Sequence, residues 1–358
     1  MRFLLNICLG AMLALVILEG LFRSLPVDSG LRMASTSATD ANSRYLPQQP
    51  FVYSHGWSMM NARHGVTNNL GFINAANFDR PATDVLIIGD SFIASLMLNY
   101  PDTLQGHLES TMGIRIGAVA TPGNRLPDSL QLLRKFVPML RPAAVVIFVK
   151  DWDPAVIAAE PVPGYNGFVS EGDNVALFHH RYQESALKQW MAKSALIRYV
   201  HYNLKFAEWL SQALQFGRSI SNSVDPVAAT DEAQKKLKFM RYYLAELNAI
   251  KQVYGLKITL LVDADRTALY PSLHKKPPNL TMEERGIFIR LANETGFELV
   301  DMQPIFMRHW AAHREVFDYL PADRHWNAVA HKLAADALLP GLISGFRSDF
   351  LAPQKLEN

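Results

Sequence analysis

Asp84-Val85-Leu86-Ile87-Ile88-Gly89-Asp90-Ser91-Phe92 sets both the fold and the chemistry of this chain. Val85 to Ile88 form a short run that is apolar on both faces, the pattern of a strand inside a parallel sheet covered by helices. Gly89-Asp90-Ser91 breaks the run, and a helix is expected from Ser91 to Met112. A strand handing over to a helix leaves free backbone N–H groups and the positive end of a helix dipole at Ser91. Ser91 is therefore a candidate nucleophile whose own amide can receive an oxyanion. Helix capping alone also accounts for an Asp-Ser pair at such a point, so the assignment needs a base and a group to orient that base.

The same rhythm continues downstream. Ile114 to Ala120 reads as a strand, Leu126 to Leu140 as a helix and Ala144 to Val149 as a third strand. It lapses over residues 154–230, where a Pro/Gly-rich loop (Pro161, Pro163, Gly164, Gly167, Gly172) precedes a helical stretch near Ser194 to Phe216 and a Ser/Asn segment from Ser219 to Ser223. This region reads as a partly helical insertion or lid that adds no clear strand. The alternation resumes with a helix at Asp231 to Tyr254, a strand at Lys257 to Val262, a helix at Met282 to Thr295 and a strand at Phe297 to Val300. A last helix runs from Asn327 to Leu342. The expected fold is α/β: a three-layer α/β/α sandwich over residues 81–345, with a parallel, flavodoxin-like sheet of about five strands and a tail at 346–358.

The chain has 358 residues, 49% hydrophobic and 19% charged, which is enough apolar material for a large core and excludes intrinsic disorder. Thirty-five basic against 33 acidic residues leave a net charge of +2, without the basic excess of a nucleic-acid-binding protein, so small or neutral substrates fit better. The single cysteine, Cys8, excludes an intrachain disulfide and a cysteine metal cluster. Phe3 to Phe22 is apolar apart from Asn6 and Glu19, lies between Arg2 and Arg23, and has the length to cross a bilayer. No small-x-small cleavage site follows Leu18, so residues 1–23 read as an uncleaved signal anchor, a transmembrane helix. Residues 24–80, with Pro26, Pro47, Pro50 and many Ser, Thr and Asn, read as a linker and loop-rich lead-in that holds the body off the membrane.

Partners for Ser91 lie at Asp323-Arg324-His325-Trp326-Asn327, in a loop before the last helix. An Asp-x-His pair sets a carboxylate beside an imidazole, where it holds one tautomer and stabilises the imidazolium formed when His325 takes the serine proton. Asp323 as a helix cap and His325 packed on Trp326 is the competing account. A third piece, Thr121-Pro122-Gly123-Asn124, follows the second strand, and its glycine lets a backbone N–H approach a ligand closely, although a plain turn explains it equally. All three pieces fall where a doubly wound sheet gathers its ligands.

These blocks resemble the SGNH (GDSL-type) hydrolase superfamily. Gly89-Asp90-Ser91 is similar to its first block, Gly123 to its second-block glycine, and Asp323-Arg324-His325-Trp326-Asn327 to its last block in the Asp-x-His-Trp form. That form and the N-terminal apolar segment resemble the membrane-anchored branch containing alginate O-acetyltransferase-like polysaccharide-modifying proteins, as does the lead-in Asn68-Asn69-Leu70-Gly71-Phe72. The resemblance covers about 68–153 and 231–340. It implies Ser91 as nucleophile, His325 as base, Asp323 as its orienting group, and the Ser91 and Gly123 amides as the oxyanion hole. The family's third block, Gly-x-Asn-Asp, supplies a further donor from its asparagine, but this chain reads Val149-Lys150-Asp151-Trp152-Asp153, leaving Asn124 or the Trp152 indole as substitutes.

The implied activity is a serine esterase acting on O-acyl, above all O-acetyl, esters of a carbohydrate or polysaccharide, with no cofactor and no metal. The same residues would serve a polysaccharide O-acetyltransferase, and the altered third block leaves open a degenerate glycan-binding or scaffold protein. The expected partners are an acylated carbohydrate or other ester, the membrane through the N-terminal helix, and other proteins of an exopolysaccharide system, but no nucleic acid. The body is expected to be periplasmic or extracytoplasmic. His309 and His313 share a helical face, but Trp310 stands where a zinc protease has its glutamate, so they read as a solvated face. His179-His180 has no third ligand in view, Lys235-Lys236-Leu237-Lys238 is the wet side of a helix, and the sequons at Asn279 and Asn293 matter only in a eukaryotic secretory pathway.

Overall fold

The computed structural model describes residues 2–75, 77–78, 83–206, 226–270, 282–320 and 323–350. The chain begins with α1 (Arg2–Ser24) and a hairpin of β1 (Pro50–His55) and β2 (Met60–Val66). The body then runs β3 (Val85–Gly89), α2 (Ser91–Ala94), α3 (Leu104–Met112), β4 (Ile116–Ala120), α4 (Leu126–Leu140) and β5 (Ala144–Val149). Next come β6 (Asn166–Glu171), β7 (Asn174–His179), α5 (Ala186–Met191), α6 (Ala195–Arg198), α7 (Pro226–Tyr254), β8 (Lys257–Val262) and α8 (Arg266–Leu269). The chain closes with α9 (Met282–Glu294), β9 (Glu298–Asp301), α10 (Met302–His313), β10 (Asp318–Leu320), β11 (Asp323–Trp326) and α11 (Ala328–Phe350).

Strands β4-β3-β5-β8-β9 form one sheet in that order, and all four pairings are parallel. Counted along the sheet's own strands this is the order 2-1-3-4-5, the flavodoxin-like doubly wound arrangement. Successive residues serve opposite layers, as the apolar runs require. Leu86, Ile88, Val145 and Ile147 share a core with Phe136 of α4, Phe239 of α7 and Phe288 of α9. Val85, Ile87, Val146 and Phe148 share the other with Leu108 of α3, Phe306 of α10 and Ala334 of α11. Burying each large side chain of this kind contributes about 1.5–3 kcal/mol.

Three expectations change. The helix expected from Ser91 to Met112 is broken: Ser95 adopts a left-handed conformation (φ 43°) that ends α2, and Pro101, in a 3-10 turn at Tyr100–Asp102, has no N–H to continue an α-helix. The Thr103 hydroxyl then accepts from the Gly106 N–H and starts α3. The 154–230 insertion, expected to add no strand, carries the β6/β7 antiparallel hairpin. Gly172-Asp173 is its two-residue turn, and Phe168 is buried against Phe239 and Tyr242 of α7. The described residues of 24–78 lie on the body instead of holding it at a distance. Tyr45, Asn68 and Phe72 are buried, the Asn68 carboxamide accepts from the Leu70 and Phe72 N–H groups, and the Phe72 ring meets Phe136 edge-on at 5.3 Å.

Smaller differences occur at the ends of elements. Asp323 to Trp326, expected as loop, is a strand paired with β10, and the last helix continues past Leu342 to Phe350. Of the helical stretch expected at Ser194 to Phe216, α6 and a π-turn at Tyr199–Asn203 are seen. The remainder from residue 207, the Ser/Asn segment at 219–223, the Asn279 sequon and residues 351–358 lie outside the described residues.

If residues 24–80 are part of the folded body, Phe72→Ala lowers its stability by about 3–5 kcal/mol. Denaturant unfolding followed by tryptophan fluorescence checks this, and a detached linker gives no change.

Candidate active site

Ser91 stands directly beyond the carboxyl end of the first sheet strand, at the topological switch point. Gly89 makes the turn possible, because a Cβ there would lie 2.4 Å from Ile93 Cγ1 and force α2 away from the sheet. Asp90 does cap α2, with Oδ1 accepting from the Phe92 N–H at 2.9 Å, but its Oδ2 also accepts from Lys150 Nζ at 2.7 Å.

The structure brings Ser91, His325 and Asp323 together. The Ser91 hydroxyl lies 2.8 Å from His325 Nε2, and His325 Nδ1 lies 2.5 Å from Asp323 Oδ1, which also accepts the His325 backbone N–H at 3.1 Å. A carboxylate only accepts, so Nδ1 carries the proton and Nε2 presents a lone pair to the serine O–H. Burial opposes the Asp323 charge, but the hydrogen bond and charge of His325 outweigh it and hold the carboxyl below its ordinary pKa. Trp326, next in sequence, is fully buried among Phe92, Phe148 and Phe306, and its indole N–H donates to Asp263 Oδ1 at 2.8 Å.

Gly89 is in register with Ala120, so the turn after β4 runs beside Ser91. Gly123 in that turn has φ +86°, and a Cβ there would lie 2.9 Å from the Tyr165 hydroxyl. Among the described residues the N–H groups of Ser91 and Gly123 have no protein acceptor, as an oxyanion hole needs. The Asn124 amide is turned inward: its Nδ2 donates to the Gly89 carbonyl at 3.0 Å and its Oδ1 accepts from Ser43. Trp152 is half-buried, with its ring against Phe92 and beneath the Arg324 guanidinium.

Two residues outside the sequence assignment hold this geometry. Lys150, directly after β5, is buried between Asp90 and Asp153, which lies 3.4 Å away. Burial works against its charge, but the two carboxylates overcome it and raise its pKa above the ordinary lysine value. The signal was present, since Lys150 to Asp153 places three charges directly after a wholly apolar strand. The other is His331, fully buried on α11. Its Nδ1 accepts from the Leu104 N–H at 3.0 Å, so the proton sits on Nε2 and is donated to Ser95 Oγ at 2.9 Å, while Ser95 donates to the Phe92 carbonyl. Desolvation keeps His331 neutral, with a pKa lowered to about 3.

A cavity of about 400 Å³ opens on the triad. Ser91, Ala94, Leu96, Met97, Pro122, Asp323 and His325 come from the body, Asp28, Tyr53, Ser54 and His55 from the N-terminal segment, and Tyr202 and Lys205 from the insertion. Spacing in sequence gave no sign of these outer walls. Among the described residues no cluster of His, Cys, Asp and Glu is arranged to hold a metal ion, and His309 is engaged with Glu315.

The five-strand parallel sheet carries Ser91 after its first strand, and the Asp323-x-His325 pair precedes the last helix. The fold is a doubly wound α/β/α sandwich. Solved structures similar to it include an acetyl xylan esterase (15% identity, 72% of this chain and 98% of that one, TM-score 0.40). A lipase/acylhydrolase from Enterococcus faecalis is similar at 14% identity over 74% and 96% of the two chains (TM-score 0.38). A two-domain esterase active on acetylated mannans is similar at 11% identity over 74% of this chain and 50% of that one (TM-score 0.39). No family model matches the chain, and no curated protein matches it by sequence.

Two variants test the supports of this site. Lys150→Met leaves Asp90 and Asp153 buried without their cation and lowers stability by about 3–5 kcal/mol, measured by denaturant unfolding. His331 titrates near its ordinary value when unfolded but only at about 3 when folded, so between these values the unfolded chain binds more protons and stability falls with falling pH. From pH 6.5 to 4.5 this group removes about 2.3 kcal/mol, and His331→Gln flattens the pH dependence of unfolding by that amount.

Proposed function

We propose that this chain is a serine esterase that hydrolyses O-acyl, principally O-acetyl, esters of a carbohydrate, with Ser91, His325 and Asp323 as its triad. The observation that carries the reading is the continuous Asp323–His325–Ser91 hydrogen-bonded chain at the sheet's carboxyl edge, facing a cavity. Ser91 Oγ attacks the ester carbonyl while His325 Nε2 takes its proton. The Ser91 and Gly123 N–H groups receive the oxyanion, and Asp323 stabilises the imidazolium. His325 then protonates the departing alcohol, and a water molecule, deprotonated by the same nitrogen, releases the acid and restores Ser91.

Asn124 and Trp152 remain candidates for a third oxyanion donor, with Trp152 the better placed, since the Asn124 amide already serves Gly89. Losing one such donor costs about a hundredfold to a thousandfold in turnover, so this reading pairs a sound nucleophile with modest turnover. Ala94, Leu96 and Met97 give a short acyl group an apolar environment, while Tyr53, Tyr202, Asp28 and Lys205 offer aromatic and polar surface suited to a sugar. The N-terminal helix is long and apolar enough to be a membrane anchor or a signal sequence. In this proposal it stays attached, with the body on the periplasmic or extracytoplasmic side, within reach of exopolysaccharide and the proteins that handle it.

A fluorophosphonate probe is expected to label the folded wild-type protein and to fail on Ser91→Ala. Asp323→Asn keeps the fold and lowers turnover of an aryl acetate by about 10⁴-fold. Absence of labelling in the folded wild type overturns the catalytic reading in favour of a glycan-binding or scaffold role. Supplying an acetylated glycan together with a deacetylated acceptor separates the two enzyme readings: free acetate marks the esterase, and acetyl transfer without acetate marks an acetyltransferase on the same triad.

A further inference from the structure

We propose that helix α5, together with the turn at Trp57, is a membrane seat that lies in the lipid headgroup interface beside the anchor, a proposal that rests on α1 spanning the bilayer. The body does not hang from α1 on a free linker. Glu19, the one acidic residue of the apolar segment, accepts from Ser194 Oγ at 2.7 Å and from the Ala195 and Leu196 N–H groups at 3.0 Å. The Arg23 guanidinium donates to the Lys193 carbonyl at 3.2 Å, and the Phe22 ring stacks on Tyr199 with centroids 4.2 Å apart. Residues 193–199 are thereby fixed to the last turns of the anchor.

Helix geometry gives that docking point a depth. The stretch from Phe3 to Leu18 covers about 24 Å at about 1.5 Å per residue, against a hydrocarbon core about 30 Å thick. Glu19 to Phe22 then reach the boundary between hydrocarbon and headgroups, and everything pinned to them lies at the same level. Helix α5 ends two residues before Lys193 and is folded back on it, since Lys193 and Ser194 donate their N–H groups to the Trp190 and Met191 carbonyls. Its Leu187 and Trp190 are each 65% exposed and Met191 is 39% exposed, at the i, i+3, i+4 spacing of a single helical face. Trp57, 75% exposed, is tied to the same point through its carbonyl, which accepts from the Tyr199 hydroxyl at 2.7 Å.

In water this face is a liability; at an interface it is the expected composition. Tryptophan concentrates at headgroup level, and Lys188, Lys193 and Arg198 beside it suit anionic headgroups. The same two segments supply His55, Tyr202 and Lys205 to the cavity over Ser91, so seating them on lipid holds that cavity close to the bilayer surface.

Spin labelling of the full chain in mixed phosphatidylethanolamine and phosphatidylglycerol vesicles tests this. Cys8→Ser gives a cysteine-free background, and single labels are placed through Leu13→Cys in α1, Leu187→Cys and Trp190→Cys in α5, and Val253→Cys on the exposed end of α7. The expected result is that Leu13, Leu187 and Trp190 positions relax with oxygen in preference to a water-soluble nickel chelate, while Val253 shows the reverse. Lipid contact at 13 with water contact at 187 and 190 overturns the seat and leaves the anchor standing. Water contact at 13 overturns the anchor, and the seat with it.

Discussion

A buried lysine holds the turn that carries Ser91 in place. Lys150 leaves the third sheet strand and enters the space between Asp90 and Asp153, where desolvating one cation and two carboxylates would cost several kcal/mol per ion were their charges not satisfied by one another. Its Nζ also donates to the Asn124 carbonyl at 3.1 Å, so one ammonium ties together the ends of β3, β4 and β5. Asp90 is fixed from two sides, by this cation and by the Phe92 N–H, and the start of α2 is fixed with it. A glycine in the same place leaves nothing to fill that space. The end of β5 is thus a charged clamp on the turns after β3 and β4.

A second ionic network does for the base what Lys150 does for the serine. Arg266, wholly buried, lies 3.4 Å from Asp263 and 3.2 Å from Asp318 and donates to the Arg324 carbonyl at 2.8 Å, between the two triad members of β11. Asp263 also receives the Trp326 indole N–H, and Asp318 the Tyr270 hydroxyl at 2.8 Å. The strand carrying Asp323 and His325 is therefore held from below by charges that cannot move without exposing one another. Ser91 and His325 thus each stand beside a buried ionic network.

The central sheet was legible because both faces of each strand are buried, which writes a continuous apolar run into the sequence: Val85 to Ile88, Ala144 to Val149 and Lys257 to Val262 stand within one residue of the strands observed. Helices faded where one local choice overrode periodicity, as at Ser95 and Pro101, and the β6/β7 hairpin was hidden because its strands alternate weakly, although Gly172-Asp173 marks its turn. The proximity of Ser91, His325 and Asp323 was legible because each lies in a short motif at the end of a sheet strand or before the last helix. Lys150 was marked only as a charge after an apolar strand and His331 not at all, since their partners are distant in sequence: Asp90 is sixty positions from Lys150, and Ser95 is 236 from His331.

The cavity walls were the least legible part, and the reason bears on specificity. Asn203 joins two segments that have no motif of their own: its carboxamide donates to Ser54 Oγ at 2.9 Å and accepts from the Asp28 N–H at 3.0 Å. Asp28 and Ser54 belong to the N-terminal segment and Tyr202 and Lys205 to the insertion, and all four line the space in front of Ser91. A residue that selects a substrate need only present a surface at the right distance, so many sequences satisfy the requirement and none leaves a spacing to read. A residue that moves a proton must meet its partner within hydrogen-bonding distance, and that constraint survives in the sequence as Asp-x-His. The Asp-x-His pair therefore belongs to the body, while the outer wall of the cavity is built by two segments that a buried asparagine helps to join.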